Sequence, residues 1–379
     1  MERSREIKAL TGLRAVAAFW VVLFHLNNDL VALDPGVAAF VRMLAPAGYL
    51  GVDLFFILSG FVISYTYADR LRVFESHAYL RFLWARLARI YPVHLFTLGI
   101  LLALVALGLD GGHPRETTRY SAERFIDNLL LVHGWALPIE KSWNVPSWSI
   151  STEWLAYLAF PLVSAAALAI RHRRAIVLAC ATLCAVTVVA FATFRFQGTM
   201  AYGLVRIGVD FSIGCLLFGL YRQQAFRSLA LGVGLAAAYL CTLVGVLIVF
   251  DVRIAVAACA PAPLAMLVYG LSADRGAVCR WLAKPAVLYW GRASYSLYMT
   301  HLVVVWILHS YVTPPELAQY PPTLRAAVMT GLVAAILGAA AFTYRWIEQP
   351  SRRWMLRRFA PIEAASVTAS PRPQTAPNG

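Results

Sequence analysis

Long apolar runs alternate with short, mostly basic connections along this chain, and the first run, Glu6 to Leu30, interrupts its own pattern twice. Arg14 lies near one end of it and His25 near the other. A run of about 20 apolar residues has the length of a membrane-crossing helix, and an ionisable group inside one marks a functional site. Eleven residues separate the two, which at about 100° and 1.5 Å per residue puts both on one helix face, about 16 Å apart. Comparable runs predict ten spans, at about 10–30, 49–67, 90–109, 148–170, 175–194, 203–220, 229–250, 254–272, 286–309 and 325–347. Residues 78–89 (AYLRFLWARLAR) set arginines among leucines and aromatics and predict an amphipathic helix on the membrane surface. The mixed charge of residues 110–147 predicts an ordered cap or re-entrant piece on the outer side. A segment rich in Ala, Pro, Ser and Thr ends the chain and reads as disordered. The expected division is therefore a membrane domain over 1–358 and a disordered cytoplasmic tail over 359–379.

Composition agrees with the runs. With 379 residues, 60% hydrophobic and 14% charged, and a mean hydropathy of +0.66, the chain reads as all-α, a polytopic membrane helix bundle. The net charge of +14 would suit a nucleic-acid partner, but the basic residues fall in alternate short loops. Membrane topology produces that pattern, so no nucleic acid is expected and both termini are placed in the cytoplasm. The six cysteines show no CxxC spacing and read as core or lipid-facing residues, with no metal site. Arg3, Arg5 and Lys8 before an apolar run imitate a signal peptide. The run is too long, is broken by Arg14 and is followed by further spans, so it reads as a retained first helix.

Topology gives each buried polar residue a depth. His25 and His301 each lie about 22 Å up a hydrocarbon core about 30 Å thick, Asp53 about 6 Å and Glu153 about 8 Å below its outer surface. Four ionisable groups from four helices thus share the outer half. Arg14 and Arg292 lie about 6 Å and 9 Å above the cytoplasmic face, with Arg86, Arg89, Arg345 and Glu348 at the rim. Such a funnel suits an anionic ligand with a long neutral arm, since the arginine fork holds phosphate oxygens and stays charged when partly desolvated. Each residue also has a structural reading: the histidines and Glu153 as interhelical hydrogen-bonding groups, Asp53 as an N-cap or positioning partner, Arg86 and Arg89 as ordinary positive-inside residues.

Six strings occur in order: KALTGLRAVAAFWVVLFH, with Arg14 and His25 in Arg-x10-His spacing; GVDLFFILSGFVIS; RLARIYPVH; SWSISTEWLAYLAFP, with Glu153; GRASYSLYMTH, ending at His301; and RWIEQPSRR around Glu348. Together they resemble the membrane acyltransferase-3 family, integral-membrane O-acyltransferases of surface polysaccharides, lipopolysaccharide, Nod factors and some macrolides. The resemblance covers nearly the whole chain and is to a stand-alone form without a fused esterase-like domain. It implies a bacterial-type plasma membrane protein that holds no bound cofactor. The implied donor substrate is acyl-CoA, most simply acetyl-CoA, and the acceptor a glycan or lipid-linked glycan. Arg14, Arg86 and Arg89 are the expected donor-binding residues, because the distance from Arg14 to His25 matches an extended pantetheine arm. His25, oriented by Glu153 or Asp53, is the expected base, with His301 and nearby hydroxyls stabilising the oxyanion or placing the sugar. Direct transfer and an acyl-histidine intermediate both remain open. Two rivals stand beside this reading: a proton-coupled transporter or exporter, for which buried His, Asp and Glu would form a relay, and acylation of a small secondary metabolite such as a macrolide.

Overall fold

A computed structural model of the chain describes residues 6–31, 41, 44–108, 119–194, 196–224, 239 and 253–359. All their regular structure is helical. The first helices are α1 (Lys8–His25), α2 (Asn27–Val31), α3 (Leu50–Tyr67), α4 (Ser76–Ala106) and α5 (Ala122–Leu129). Next come α6 (Trp148–Ala169), α7 (Arg173–Phe194), α8 (Gly203–Arg222), α9 (Arg253–Cys259) and α10 (Pro261–Leu271). The last are α11 (Ala277–Leu282), α12 (Pro285–His309), α13 (Pro314–Leu317), α14 (Pro322–Thr343) and α15 (Gln349–Phe359).

Among the described residues seven helices are long and apolar enough to cross a membrane: α1, α3, α4, α6 with the turn before it, α7, α8 with the turn before it, and Pro322–Arg358. The chain is thus an all-α, multi-pass membrane protein. Helix α12 has 25 residues, but Arg292, Ser294, Ser296, Thr300 and His301 lower its hydropathy. Most of the expected 229–250 span, and residues 360–379 of the expected tail, lie outside the described residues.

Four boundaries differ from expectation, each for a local reason. The first span stops at His25, and a separate short α2 follows Leu26. Asn27 and Asn28 stand there, and asparagine side chains compete with the backbone for helix hydrogen bonds. The expected surface helix at 78–89 and the span at 90–109 are one 31-residue helix, α4, with Pro92 inside it. The expected 254–272 span divides at Ala260, because Pro261 lacks the N–H a continuing helix needs and instead starts α10. The last span runs on through a π-helical turn, Tyr344–Glu348, into α15.

Helix α8 forms the centre, packed on α3, α6, α7 and α10. It crosses α3 backbone to backbone: a Cβ on Gly60 would lie 2.1 Å from Phe211 O, and one on Gly214 would lie 2.2 Å from Ile57 O. Glycines at such a crossing replace the hydrophobic drive that lipid does not supply with close van der Waals contact. The pair α1 and α12 packs the same way beside it, and α12 in turn holds α14.

Candidate active site

The site begins where α1 and α12 touch. A Cβ on Gly291 would lie 2.0 Å from Thr11 O, so only glycine lets the two backbones meet there. Three residues further along each helix, Arg14 and Ser294 line one cavity. Its wall carries Ser59, Ser149, Glu153 and Tyr298 on the polar side and Val52, Phe55, Phe56 and Ile150 on the apolar side. The Arg14 guanidinium lies 5.9 Å from the Phe55 ring centroid, and its Nε has no hydrogen-bond partner among the described residues. Ser294 is wholly buried, and its hydroxyl is likewise unpartnered. On α12 the positions 294, 298 and 301 share one face at helical spacing, so the face that lines the cavity ends on His301.

His301 meets His25. Their rings are 4.9 Å apart and tilted by 50°, with His301 Nε2 3.1 Å from His25 Nδ1. His25 Nδ1 also lies 3.0 Å from Val21 O, and His301 Nδ1 lies 3.2 Å from Leu297 O. A carbonyl only accepts, so each Nδ1 carries the proton. The His25 Nδ1–H is then shared between Val21 O and the bare Nε2 of His301, which leaves His25 Nε2 with a lone pair that no described residue engages.

Neither expected carboxylate orients His25. Glu153 accepts from Ser59 Oγ at 2.6 Å, lies beside the Tyr157 hydroxyl and faces the cavity at the level of Arg14. Asp53 is taken by Arg206, whose Nε and Nη2 donate to its two oxygens at 2.7 and 2.8 Å. Arg206 also donates to Tyr49 O and Thr199 O and lies over the Trp148 ring. The four groups expected in one outer layer therefore divide three ways: a histidine pair, a buried ion pair, and a carboxylate that shares the cavity with Arg14 instead of the level of the histidines.

The inner rim is similarly sorted. Arg89 pairs with Glu348, which the π-helical turn holds in the interior at 2% exposure, and Ser296 Oγ donates to the other Glu348 oxygen at 2.6 Å. Arg86 donates to the Tyr67 hydroxyl at 3.0 Å and keeps an unpartnered Nε. Arg352 lies within electrostatic reach of both arginines. Arg292 is half-exposed and bonded to Glu6. Burial alone would raise the Glu6 carboxyl, but hydrogen bonds from Arg292 and Thr11, with the Arg292 and Lys8 charges, outweigh it and hold the carboxyl below its ordinary range.

Of the segment expected as an outer cap, residues 119–147 are ordered, and 110–118 lie outside the described residues. Asn144 Nδ2 donates to Thr97 Oγ1 and Met299 O, tying the cap to α4 and α12. His133 stacks on His94 with ring centroids 5.9 Å apart and planes 3° apart, and its Nε2 is 3.0 Å from Ser147 Oγ. Burial, then the adjacent His94, pushes the His133 imidazole down to about 3. Among the described residues no three His, Cys, Asp or Glu side chains gather to hold a metal.

Sequence reasoning did not single out Arg206, Phe55, Ser59 or Arg352. Arg206 had a signal, since an opposite charge, Asp210, stands four residues later inside an apolar run. Phe55 and Ser59 had none, because an aromatic and a hydroxyl at helical spacing look like ordinary core.

Comparison with known proteins points one way. Residues 7–344 match the model of a family described as an acyltransferase domain. The chain is 28% identical to the acyltransferase MdmB of Streptomyces mycarofaciens over 96% of each chain. It is 27% identical to the exopolysaccharide production protein ExoZ of Rhizobium meliloti, over 82% of this chain and 92% of that protein. It is 23% identical to the O-acetyltransferase OatA of Staphylococcus aureus over 95% of this chain, and there it spans 59% of the longer protein. No solved structure matches.

Proposed function

The chain belongs to the acyltransferase-3 family and is a membrane O-acyltransferase, and from that premise we propose that it moves an acyl group, most simply acetyl, from cytoplasmic acyl-CoA to a hydroxyl of a surface or exported polysaccharide or glycolipid. The carrying observation is one polar stripe along α1 and α12. It starts at Arg14 and Ser294, passes Tyr298 and ends on His301 and His25. The phosphates rest on the inner arginines Arg86 and Arg89, with Arg14 above them, and the neutral arm lies along the stripe. ExoZ is named for exopolysaccharide production and OatA as an O-acetyltransferase; those names support the glycan acceptor and the acetyl group. The bacterial sources of these relatives support a bacterial-type plasma membrane. The transporter reading has no support left once the family is known.

His25 acts as base through its free Nε2. It takes the proton of the acceptor hydroxyl as that oxygen attacks the thioester carbonyl carbon; the C–S bond then breaks, and the departing thiolate takes the same proton back from Nε2. His301 is a positioning residue in this scheme. Its bare Nε2 accepts from His25 Nδ1–H, which fixes the ring and favours the imidazolium that forms in between. Glu153 and the hydroxyls of Ser59 and Ser149 face the donor in the cavity, while Asp53 supports the fold around it.

The test is purified protein in lipid nanodiscs with radiolabelled acetyl-CoA. Wild type should release free CoA by transfer or slow hydrolysis, and His25→Gln at equal abundance should not. Turnover retained by His25→Gln would refute the role of His25.

A further inference from the structure

The last helix returns to the rim below the cavity. Two contacts fix its register against α4: Trp84 Nε1 donates to Met355 O at 2.9 Å, and Arg89 pairs with Glu348 in the turn before α15. Residue numbers fall along one segment as they rise along the other, so the two are antiparallel. Arg86 lies three residues before Arg89, and Arg352 lies four after Glu348. Each offset keeps a side chain on one helix face, and each steps about 5 Å away from the histidines. Arg352 therefore stands level with Arg86. The side chains agree with the register. Arg352 lies within electrostatic reach of Arg86, Arg89 and the Tyr67 hydroxyl, to which Arg86 donates while lying over the same ring, 5.1 Å from its centroid.

Charge at this level is out of balance. Three guanidinium groups share one carboxylate, and the two oxygens of Glu348 are taken by Arg89 and Ser296. Among the described residues no carboxylate pairs with Arg86 or Arg352. Arg352 is exposed and Arg86 partly so, which leaves both open to a ligand from solvent. A bound anion relieves the repulsion between them, and the arginine fork matches phosphate oxygens. Depth selects which part of the donor arrives. Arg89 Nη2 lies 3.4 Å from Arg292 O, nine residues before His301 on α12 and about 14 Å along its axis. Fourteen bonds separate the thioester carbon of an acyl-CoA from its first phosphorus, about 17 Å when extended. With that carbon at the histidines, the diphosphate emerges just past Arg89, where Arg86 and Arg352 stand. We infer that Arg352 is a further donor-binding residue, which closes with Arg86 on the diphosphate of the acyl-CoA; the assignment rests on the acyl-CoA reading above.

The experiment compares acetyl-CoA with acetyl-pantetheine, which has the same arm and no phosphate, by thiol release from protein in nanodiscs. For Arg352→Ala, the ratio of kcat/KM on acetyl-CoA to that on acetyl-pantetheine should fall about tenfold relative to wild type, the worth of one charge-assisted hydrogen bond. Arg352→Lys keeps the charge without the fork and should fall between the two. Arg353→Ala is the control. Arg353 is exposed and donates to Gln349 Oε1 at 3.0 Å, and its removal should leave the ratio at the wild-type value. An unchanged ratio in Arg352→Ala, whether activity is kept or lost equally on both donors, overturns the assignment while leaving the donor reading intact. An equal fall in Arg353→Ala also overturns it, since the effect would then belong to the basic surface as a whole. If acetyl-pantetheine turns over too slowly to measure, the same ratio is taken from CoA and pantetheine as competitors of acetyl-CoA. A wild-type protein that releases thiol from neither donor removes the donor reading and the assignment with it.

Discussion

Two of the arginines inside this bundle, Arg206 and Arg14, are held in opposite ways. Arg206 on α8 is 3% exposed and is claimed on every side, by both oxygens of Asp53, by the carbonyls of Tyr49 and Thr199, and by the face of Trp148. Arg14 on α1 faces a cavity, touches Phe55 and has an Nε with no partner. Depth and residue type are alike, so neither distinguishes structure from function. Their bonding does: Arg206 has its hydrogen bonds closed within the chain, and Arg14 keeps an Nε with no partner among the described residues.

The sharpest way to break the contrast is to exchange the expected consequences. His25→Gln removes the base and should lower acyl transfer about 10²- to 10⁴-fold with little change in thermal stability, read by turnover and by melting in the same detergent. Asp53→Asn should do the reverse in kind. It leaves Arg206 buried with half its partner gone, and breaking a buried pair costs about 3–5 kcal/mol, seen as a large drop in Tm at whatever activity the folded fraction retains. If Asp53→Asn kept its Tm and lost turnover, Asp53 would belong with the open groups.

Much of this was legible in the sequence, and the misses have one cause. Arg14, His25, Glu153 and His301 stand out because each is ionisable inside an apolar run. Depth alone could not say that Asp53 would turn to Arg206 while His25 turned to His301, since lateral contacts depend on which helices cross and where. Those crossings are set by glycines such as Gly60, Gly214 and Gly291, whose meaning appears only when a backbone atom is found where their Cβ would be. Glu348 was visible as a rim acid, but its inward turn depends on the π-helical segment, a local change of winding that the apolar repeat does not encode.

A smaller effect sharpens the contrast within the open region. Arg14→Ala should raise the KM for acetyl-CoA about tenfold, the loss of one charge-assisted hydrogen bond, while the KM for the acceptor and the Tm barely move. Substrate titrations on nanodisc-embedded protein separate the two constants. Equal changes in both would place Arg14 with groups that shape the whole site and would erase its difference from Arg206.

The smallest effect falls on the stacked histidine pair, His94 and His133. His133 keeps its imidazole neutral down to about pH 3 because it is buried and next to His94, with Ser147 and the Asp127 backbone supporting the protonated form too weakly to compensate. In the unfolded chain the same ring takes up a proton near pH 6.5. Between those values the unfolded state binds the extra proton, so stability falls as pH falls from about 6.5 towards 3 and is at its full value above that window. His133→Gln retains an amide for Ser147 and removes the titration. Its Tm should therefore decline less than that of wild type between pH 7.5 and 5. If the two declined in parallel, the acid sensitivity would lie elsewhere.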